Sequence, residues 1–134
     1  MAASGVGIDL TEVGRIREML ARHGERFKKR TFTEGEIAYC DGCADPAMHY
    51  AARFAAKEAA AKALGTGVWA EDVDWRDIEV TREASGKPVL LLHGGAKARA
   101  ERDGVRRMLI SLTHTKELAM AQVVLVAKLP DAGA

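Results

Sequence analysis

The fold is decided by the stretch RFAAKEAAAKALG, residues 53–65. Its alanines, leucine, lysines, glutamate and arginine are strong helix formers, and no proline interrupts them, so the stretch predicts a helix. Gly65 stands where a glycine commonly ends a helix. Phe54, Glu58 and Lys62 follow one another at intervals of four and therefore share one line of that helix. The alanines between the charges allow another backbone to come close.

The periodicity of this helix leaves two interpretations open. In one, the helix is exposed to solvent, and Glu58 forms an ion pair with Lys62 at the favoured spacing of four. In the other, Glu58 and Lys62, joined by Lys57 and Arg53, surround a phosphate or a metal ion. Partners from other parts of the chain have to decide between the two.

The composition is that of one globular domain. The 134 residues are 48% apolar, which is enough for a real core, and only 5% aromatic, so the core is expected to be aliphatic and rich in alanine. The net charge of +1 argues against a general nucleic-acid binder. No apolar run is long enough to span a bilayer, and the N-terminus lacks a signal-peptide pattern. We therefore expect a cytoplasmic protein with a single domain at residues 1–134 and no membrane partner.

Alternation, capping residues and turn signals divide the chain into strands and helices. The predicted elements are a strand at 6–9, helices at 11–24, 33–40 and 46–65, a connector at 68–75, strands at 77–82 and 88–92, a helix at 96–102, strands at 107–113 and 118–127, and a frayed tail at 130–134. Thr33 and Glu36 form a capping box for the second helix, and Asp9 or Thr11 is expected to cap the first. This order predicts an α+β fold with a mainly antiparallel sheet packed against the long helix.

The two cysteines form a C-x-x-C motif at Cys40 and Cys43. Such a motif can be a redox pair or half of a zinc site. A polar helix precedes it instead of a strand, and His49 is the one further zinc ligand nearby. Two free thiols in a loop, in a reducing compartment, are therefore the favoured interpretation.

One face of the first helix combines cations with a methionine. Arg15, Met19, Arg22 and Arg26 recur at spacings of four, three and four. Such a face suits an acidic helical partner that offers one apolar side chain. A solvated arginine face with Met19 tucked beneath it is the structural alternative, and the pattern leaves both open.

Polar residues also gather where predicted elements end, at Asp9, at residues 85–87 and at residues 114–116. Asp9 and Glu58 together supply two carboxylates, the ligands that suit a hard cation such as Mg²⁺. The sequence has no G-x-x-x-x-G-K loop, no G-x-G-x-x-G loop and no G-x-S-x-G elbow. The residues themselves thus indicate a Mg²⁺-assisted site for a phosphorylated ligand.

Four motifs, in order along nearly the whole chain, resemble those of the holo-acyl-carrier-protein synthases, the small 4′-phosphopantetheinyl transferases. They are GVGIDL at 5–10, RFAAKEAAAKA at 53–63, GKP at 86–88 and SLTHT at 111–115. The resemblance implies the 4′-phosphopantetheinyl transferase fold. It also implies transfer of the 4′-phosphopantetheine arm of coenzyme A to a serine of apo acyl carrier protein, with release of adenosine 3′,5′-bisphosphate, in support of fatty acid biosynthesis.

The resemblance also implies roles for residues. Asp9 and Glu58 would hold Mg²⁺ on the coenzyme A pyrophosphate, Lys62 would stabilise charge on the phosphoryl oxygens, and either Glu58 or a metal-bound water would accept the serine proton. The implied coenzyme A-binding residues are Arg53, Lys62, Ser85, Gly86, Lys87, Pro88, His114 and Thr115. Short family members form homotrimers with active sites between subunits. The residues implied to bind the acidic carrier protein are Arg15, Met19, Arg22 and Arg26.

Two other functions are weighed against this one. A non-catalytic coenzyme A-binding subunit is expected to lack one of Asp9, Glu58 and Lys62, and all three are present. A trimeric adaptor for an acidic partner needs the face around Arg15 but not the clustered charges of the long helix. The transferase is therefore the preferred interpretation.

Overall fold

The computed structural model describes residues 1–67 and 72–128. Its elements are, in chain order, β1 (Ala2–Glu12), α1 (Val13–Thr31), α2 (Glu34–Asp41), α3 (Pro46–Leu64), a 3₁₀ turn (Trp75–Asp77), β2 (Ile78–Arg82), β3 (Pro88–Leu92), α4 (Gly94–Arg102), β4 (Val105–His114) and β5 (Leu118–Ala127). The predicted α+β class is confirmed. The predicted tail and part of the predicted connector, residues 68–71, lie outside the described residues.

The strands form two antiparallel sheets. One has the order β1-β5-β4, and the other is the hairpin β2-β3. Helix α3 packs along one face of the three-stranded sheet, and the core between them is built largely from alanine, valine and leucine. As predicted, Pro46 begins α3, and Gly65 ends it in the left-handed conformation, with φ of 78°.

Close contact between β1 and α3 depends on two glycines. A Cβ atom on Gly7 would lie 1.8 Å from the carbonyl oxygen of Ala59, and one on Gly5 would lie 2.4 Å from that of Ala63. The small residues on both elements thus let the two backbones touch, as the alanines of α3 predicted. This contact brings Asp9, near the end of β1, against the part of α3 that carries Glu58 and Lys62.

The structure corrects two predictions about the start of the chain. Asp9 and Thr11 do not cap α1, because β1 continues to Glu12 and the Thr11 hydroxyl donates to Asp9 at 2.8 Å. The first helix was expected to end at Gly24. The helical geometry does break there, but a second helical segment, which was not predicted, follows directly and carries α1 on to Thr31. Gly24 forms a kink, with φ of 46° and ψ of −124°, which glycine tolerates because it has no Cβ.

The structure also decides between the two interpretations of α3. The exposed-helix interpretation is wrong, since most residues of α3 are buried. Its ion pair between Glu58 and Lys62 is replaced by an ion pair between Lys62 and Asp9 of β1. The long helix is therefore an internal element that presents a few charged residues at one surface.

The cysteines are both free, as predicted, but Cys40 lies in α2 and is buried, while Cys43 is partly exposed. Burial raises the pKa of the Cys40 thiol to about 12, which makes it unreactive. Within residues 1–67 and 72–128, no group of three or more histidine, cysteine, aspartate or glutamate side chains is arranged to hold a metal. In the same part of the chain, no helix is both long and apolar enough to cross a membrane.

Candidate active site

The first group of site residues lies where β1 meets α3. The Lys62 ammonium is 3.2 Å from the Asp9 carboxylate and donates to the Ile8 carbonyl at 3.0 Å. Glu58 stands one turn earlier on α3 and interacts electrostatically with Asp9, Lys62 and Arg15. We call Asp9, Glu58, Lys62 and Arg15 the carboxylate cluster. The structure thus brings together three residues that the sequence predicted as catalytic.

The electrostatics of this cluster suit a cation. Partial burial and then the negative charge of Asp9 raise the pKa of the Glu58 carboxyl, while Lys62 and Arg15 oppose the rise. Two carboxylates whose charges repel each other gain stability when a divalent cation binds between them. The site can therefore collect a hard metal ion and the negative charge of a phosphorylated ligand.

A second group of site residues is built around the ring of Tyr39. The guanidinium carbon of Arg53 lies 4.2 Å from the ring centroid, and that of Arg82 lies 4.8 Å from it. The His49 ring makes edge contacts with both Tyr39 and His114, at 5.8 and 5.6 Å between centroids. We call Tyr39, His49, Arg53, Arg82 and His114 the arginine cluster. It joins α2, α3, β2 and β4.

The arginine cluster is electropositive. Burial, followed by the charges of Arg53, His114 and Arg82, lowers the pKa of His49. Arg53 itself is buried and donates to the His49 carbonyl at 3.3 Å, and its Nε has no hydrogen-bond partner among the described residues. Such a group favours an anionic ligand at its open side.

Of the residues predicted to bind coenzyme A, Arg53 and His114 belong to the arginine cluster. The turn at residues 85–88 is tied to it because Arg82 donates to the Gly86 carbonyl at 2.8 Å. Gly86 has a φ of 89°, which explains the glycine in that turn.

The remaining predicted residues lie in the turns themselves. The Ser85 hydroxyl accepts from the backbone N–H of Lys87 at 3.4 Å, and the Lys87 side chain is exposed. Pro88 begins β3. The Thr115 hydroxyl accepts the backbone N–H groups of residues 117 and 118, so in this structure it stabilises the β4–β5 turn.

Lys57 does not belong to the site, although the sequence grouped it with Glu58 and Lys62. Its side chain is fully buried and forms an ion pair with Glu36 of α2 at 2.7 Å. The prediction that Lys57 faces a phosphate or a metal ion is therefore wrong. A helix turns by about 100° per residue, so neighbouring residues point in different directions.

The four residues of the predicted carrier-protein face do not form one continuous surface in the structure. Met19 and Arg26 line one small cavity of about 160 Å³, together with His23, Phe27 and Arg30. Arg15 instead lies 5.8 Å from the centroid of the Phe54 ring of α3. Arg22 forms an ion pair with Glu18 at 2.8 Å. The face thus consists of three separate parts: the cavity with Met19 and Arg26, Arg15 on Phe54, and Arg22 paired with Glu18. Met19 is half-buried.

The sequence analysis missed Tyr39, His49 and Arg82. Tyr39 and His49 belong to none of the four motifs. Packing of α2 against α3 brings Tyr39 to Arg53, whereas His49 lies four residues before Arg53 on α3 itself. Arg82 ends the strand just before the turn at 83–87, and that position was a usable signal.

Comparisons with known proteins agree with this geometry. The family model described as "4'-phosphopantetheinyl transferase superfamily" matches residues 5–123. A holo-[acyl-carrier-protein] synthase of Solibacter usitatus is 52% identical over 121 residues, which cover 90% of this chain and 96% of that protein. The crystal structure of a holo-[acyl-carrier-protein] synthase from Neisseria meningitidis has a TM-score of 0.85 at 31% identity and covers 92% of this chain and 98% of its own. A Bacillus anthracis synthase in complex with CoA (3′,5′-ADP) has a TM-score of 0.79 at 36% identity, covering 96% of this chain and all of its own.

Proposed function

Because this chain belongs to the 4′-phosphopantetheinyl transferase superfamily, we propose that it is a holo-[acyl-carrier-protein] synthase. It transfers the 4′-phosphopantetheine arm of coenzyme A to a serine hydroxyl of apo acyl carrier protein and releases adenosine 3′,5′-bisphosphate, in support of fatty acid biosynthesis. The observation that carries this proposal is the carboxylate cluster, in which Asp9, Glu58 and Lys62 meet at one surface. We assign the whole chain to one transferase domain.

Asp9 and Glu58 fit the requirements of a Mg²⁺ site. Mg²⁺ takes one or two protein carboxylates and fills its other positions with phosphate and water oxygens. The mutual repulsion that raises the pKa of Glu58 is relieved when both carboxylates face a cation. When bound, Mg²⁺ neutralises charge on the coenzyme A pyrophosphate.

Lys62 is suited to bind a phosphoryl oxygen. An ammonium group has three N–H donors, and two of those of Lys62 are used by Asp9 and by the Ile8 carbonyl. The side chain is 52% exposed, so the third donor is available to a ligand. Lys62 thereby holds the phosphoryl group beside the carboxylates and stabilises the charge that develops during transfer.

The arginine cluster binds the nucleotide part of coenzyme A. Its cations and rings offer charge to phosphates and stacking surfaces to a base. The turn at 85–88 and the ends of β4 and β5 extend the same surface, so it includes most of the residues assigned to coenzyme A: Arg53, Ser85, Gly86, Lys87, Pro88, His114 and Thr115. The remaining one, Lys62, belongs to the carboxylate cluster. Arg53 is buried beneath Tyr39, so it does not contact the nucleotide directly. It contributes positive charge to the surface and holds the Tyr39 ring in place.

The protein forms a homotrimer. The face of the three-stranded sheet away from α3 exposes Val6, Ile8 and Leu10 of β1 by 63%, 54% and 56%, beside Leu118 and Met120 of β5. Isolated soluble chains rarely expose a continuous apolar patch of this kind, so a second copy of the chain is the expected occupant. Measuring the mass in solution by light scattering tests this, and Ile8→Lys is expected to give monomers.

In the trimer, each active site lies between two subunits. The charged neighbours of Glu58 are Asp9, Lys62 and Arg15, whereas those of His49 include Arg53 and Arg82. The two clusters therefore form separate electrostatic groups within one chain. The carboxylate cluster of one subunit acts with the arginine cluster of its neighbour.

The kinked helix α1 binds the acyl carrier protein. The cavity beside Met19 and Phe27 has an apolar floor and a basic rim that includes Arg26. An acidic helix with one apolar side chain matches that surface. Arg15 and Arg22 extend it along α1, and Arg15 also belongs to the carboxylate cluster. With two free thiols, the protein is suited to the reducing cytoplasm, where we place the reaction.

The proposal is tested by mass spectrometry of an apo acyl carrier protein after incubation with this protein, coenzyme A and Mg²⁺. The expected result is a mass gain equal to the phosphopantetheine arm, which disappears when EDTA is added. If the carrier stays unmodified while coenzyme A binds, the protein is a non-catalytic coenzyme A-binding subunit. If the carrier binds but coenzyme A does not, the protein is an adaptor.

A further inference from the structure

The ion pair between Lys57 and Glu36 is fully buried and fully hydrogen-bonded. The two charged groups are 2.7 Å apart, and both side chains have no exposed surface. Lys57 also donates to the carbonyls of Trp75 and Ile78, so its three N–H donors are all used. Burial lowers the pKa of Lys57, and the charge of Glu36 opposes that change.

The partners of Glu36 complete this arrangement. Its Oε1 accepts the backbone N–H of Thr33 at 2.9 Å, and its Oε2 accepts that of Val80 at 3.0 Å. The pair thus joins the N-terminus of α2, the middle of α3, the 3₁₀ turn and strand β2. A buried pair that is tied to backbone groups on every side fixes how these elements are rotated against one another.

The pair is connected through α3 and the 3₁₀ turn to the carboxylate cluster. Lys57 precedes Glu58 directly, so the rotation of α3 that Lys57 sets also sets the direction of Glu58. Lys57 holds the Trp75 carbonyl, and the Trp75 ring stacks on Phe54 with centroids 4.7 Å apart. Phe54 in turn carries the guanidinium of Arg15 over its ring.

The pair is also connected, through α2 and β2, to the arginine cluster. Glu36 lies one helical turn before Tyr39, whose ring contacts Arg53 and Arg82. Arg82 ends β2, the strand whose backbone at Ile78 and Val80 binds the pair. One buried contact therefore connects with the elements that carry both clusters.

We propose that Lys57 and Glu36 are positioning residues that hold both clusters in their working geometry, and that Lys57 binds no phosphate. The inference rests on the proposed function in one respect, which is the role of Glu58 and Asp9 as Mg²⁺ ligands. It goes further in assigning to Lys57, a residue of the KEAAAK stretch, a role that acts through α3 and never through the substrate.

The test measures transferase turnover as a function of Mg²⁺ and coenzyme A concentration for Lys57→Met. The comparison is with Lys28→Met, because Lys28 also forms an ion pair with α2, at 3.1 Å from Asp41, but its side chain is only partly buried. All proteins are assayed at a temperature at which circular dichroism shows them folded. We expect Lys57→Met to lower kcat at least about tenfold and to raise the half-saturating Mg²⁺ concentration several-fold, since a small displacement of a site residue costs that much. Lys28→Met is expected to stay within about twofold of the parent protein in both quantities.

Two further variants keep the test decisive if Lys57→Met does not fold. Glu36→Leu with Lys57→Met removes both charges, which a buried site tolerates better than the loss of one. Glu36→Asp keeps both charges but draws the carboxylate back by one methylene group, which lengthens its contact with Lys57. Both are expected to lose turnover and Mg²⁺ affinity, with Glu36→Asp losing less.

The outcomes separate the two proposals. If turnover of the parent protein does not depend on Mg²⁺, the proposed metal site fails. If it does depend on Mg²⁺, and the folded variants keep the parent kcat and Mg²⁺ response, the positioning role is overturned. A large rise in the KM of coenzyme A for Lys57→Met, with kcat and the Mg²⁺ response unchanged, would also overturn it, because the pair would then have no effect on the carboxylate cluster.

Discussion

The two clusters of this chain are assembled in different ways. The carboxylate cluster comes from one strand and two helices and is held by contact between the backbones of β1 and α3, with the ion pair of Lys62 and Asp9 at its edge. The arginine cluster comes from four separate elements and is held by ring and guanidinium contacts around Tyr39. We propose that the first cluster performs the chemistry and that the second binds and orients the ligand.

The largest effect is expected for Asp9→Ala. Loss of one carboxylate removes half of the proposed protein ligands of Mg²⁺, and we expect turnover to fall about 100-fold or more. The fold should persist at some cost in stability. The ion pair with Lys62, whose side chain is 52% exposed, contributes about 1 kcal/mol, and the Thr11 hydroxyl, which donates to the largely buried Asp9 carboxylate, loses its acceptor at a cost of about 1–3 kcal/mol. Turnover and urea unfolding measure both effects.

The control for Asp9→Ala is Asp45→Ala, which removes another exposed ion pair, formed with Arg17 at 3.1 Å. It should leave turnover unchanged. If Asp9→Ala kept normal turnover, the carboxylate cluster would have no part in the chemistry. The proposed difference between the two clusters would then be wrong.

A second prediction concerns the contact that builds the carboxylate cluster. Gly7→Ala places a methyl group against the Ala59 carbonyl, so β1 has to move away from α3, at a cost of about 1–3 kcal/mol in unfolding free energy. Turnover should fall as well, because Asp9 moves with β1. Gly14→Ala is the control, since a Cβ there meets no other atom within 4 Å. Equal stability of the two variants would show that β1 and α3 are not in such close contact.

The third prediction sharpens the contrast between chemistry and binding. Tyr39→Leu removes the ring between the two guanidinium groups, and a contact of this kind is worth about 0.5–2 kcal/mol. We expect the KM of coenzyme A to rise about tenfold while kcat changes little. A fall in kcat with an unchanged KM would instead assign the arginine cluster to the chemical step.

The smallest effect is a pH dependence of stability. The folded state raises the pKa of Glu58 above its usual value of 4.5, so the folded protein binds that proton more tightly than the unfolded chain does. This contribution is fully present below pH 4.5 and is lost as the pH rises through the folded pKa. Urea unfolding in EDTA, compared with Glu58→Gln, should show a decline with rising pH that the variant lacks. An identical pH profile for both proteins would mean that Glu58 is not perturbed.

Asp9, Glu58 and Lys62 could be predicted from local sequence patterns, although the contact between β1 and α3 that brings Lys62 to Asp9 joins residues 53 positions apart. Glu58 and Lys62 lie on one helical line, Asp9 ends a motif with two glycines, and both patterns are visible in the chain. The burial of Lys57 could not be predicted this way, since helical spacing does not tell which side of α3 is covered by α2 and β2. That depends on Glu36, which the sequence assigned to a capping box only.

The arginine cluster was predicted in part. Arg53 and His114 were found through their motifs, but Tyr39 reaches Arg53 only because α2 packs on α3, and His49 reaches His114 only because β4 lies beside α3. In the same way, nothing in the pattern of α1 showed that the helix continues beyond Gly24, because glycine is as common at a helix end as at a kink. Long-range packing therefore accounts for most of what the sequence did not predict.

The central claim is that the two clusters of one chain serve different active sites of a trimer, and mixing two inactive variants tests it most directly. Asp9→Ala damages only the carboxylate cluster, and Arg82→Glu only the arginine cluster. Co-refolded in equal amounts, they are expected to recover about one quarter of the parent turnover, because random assembly pairs an intact cluster of each kind at that frequency. If mixed trimers form, as native mass spectrometry would show, but no turnover returns, each active site lies within one chain and the claim is contradicted.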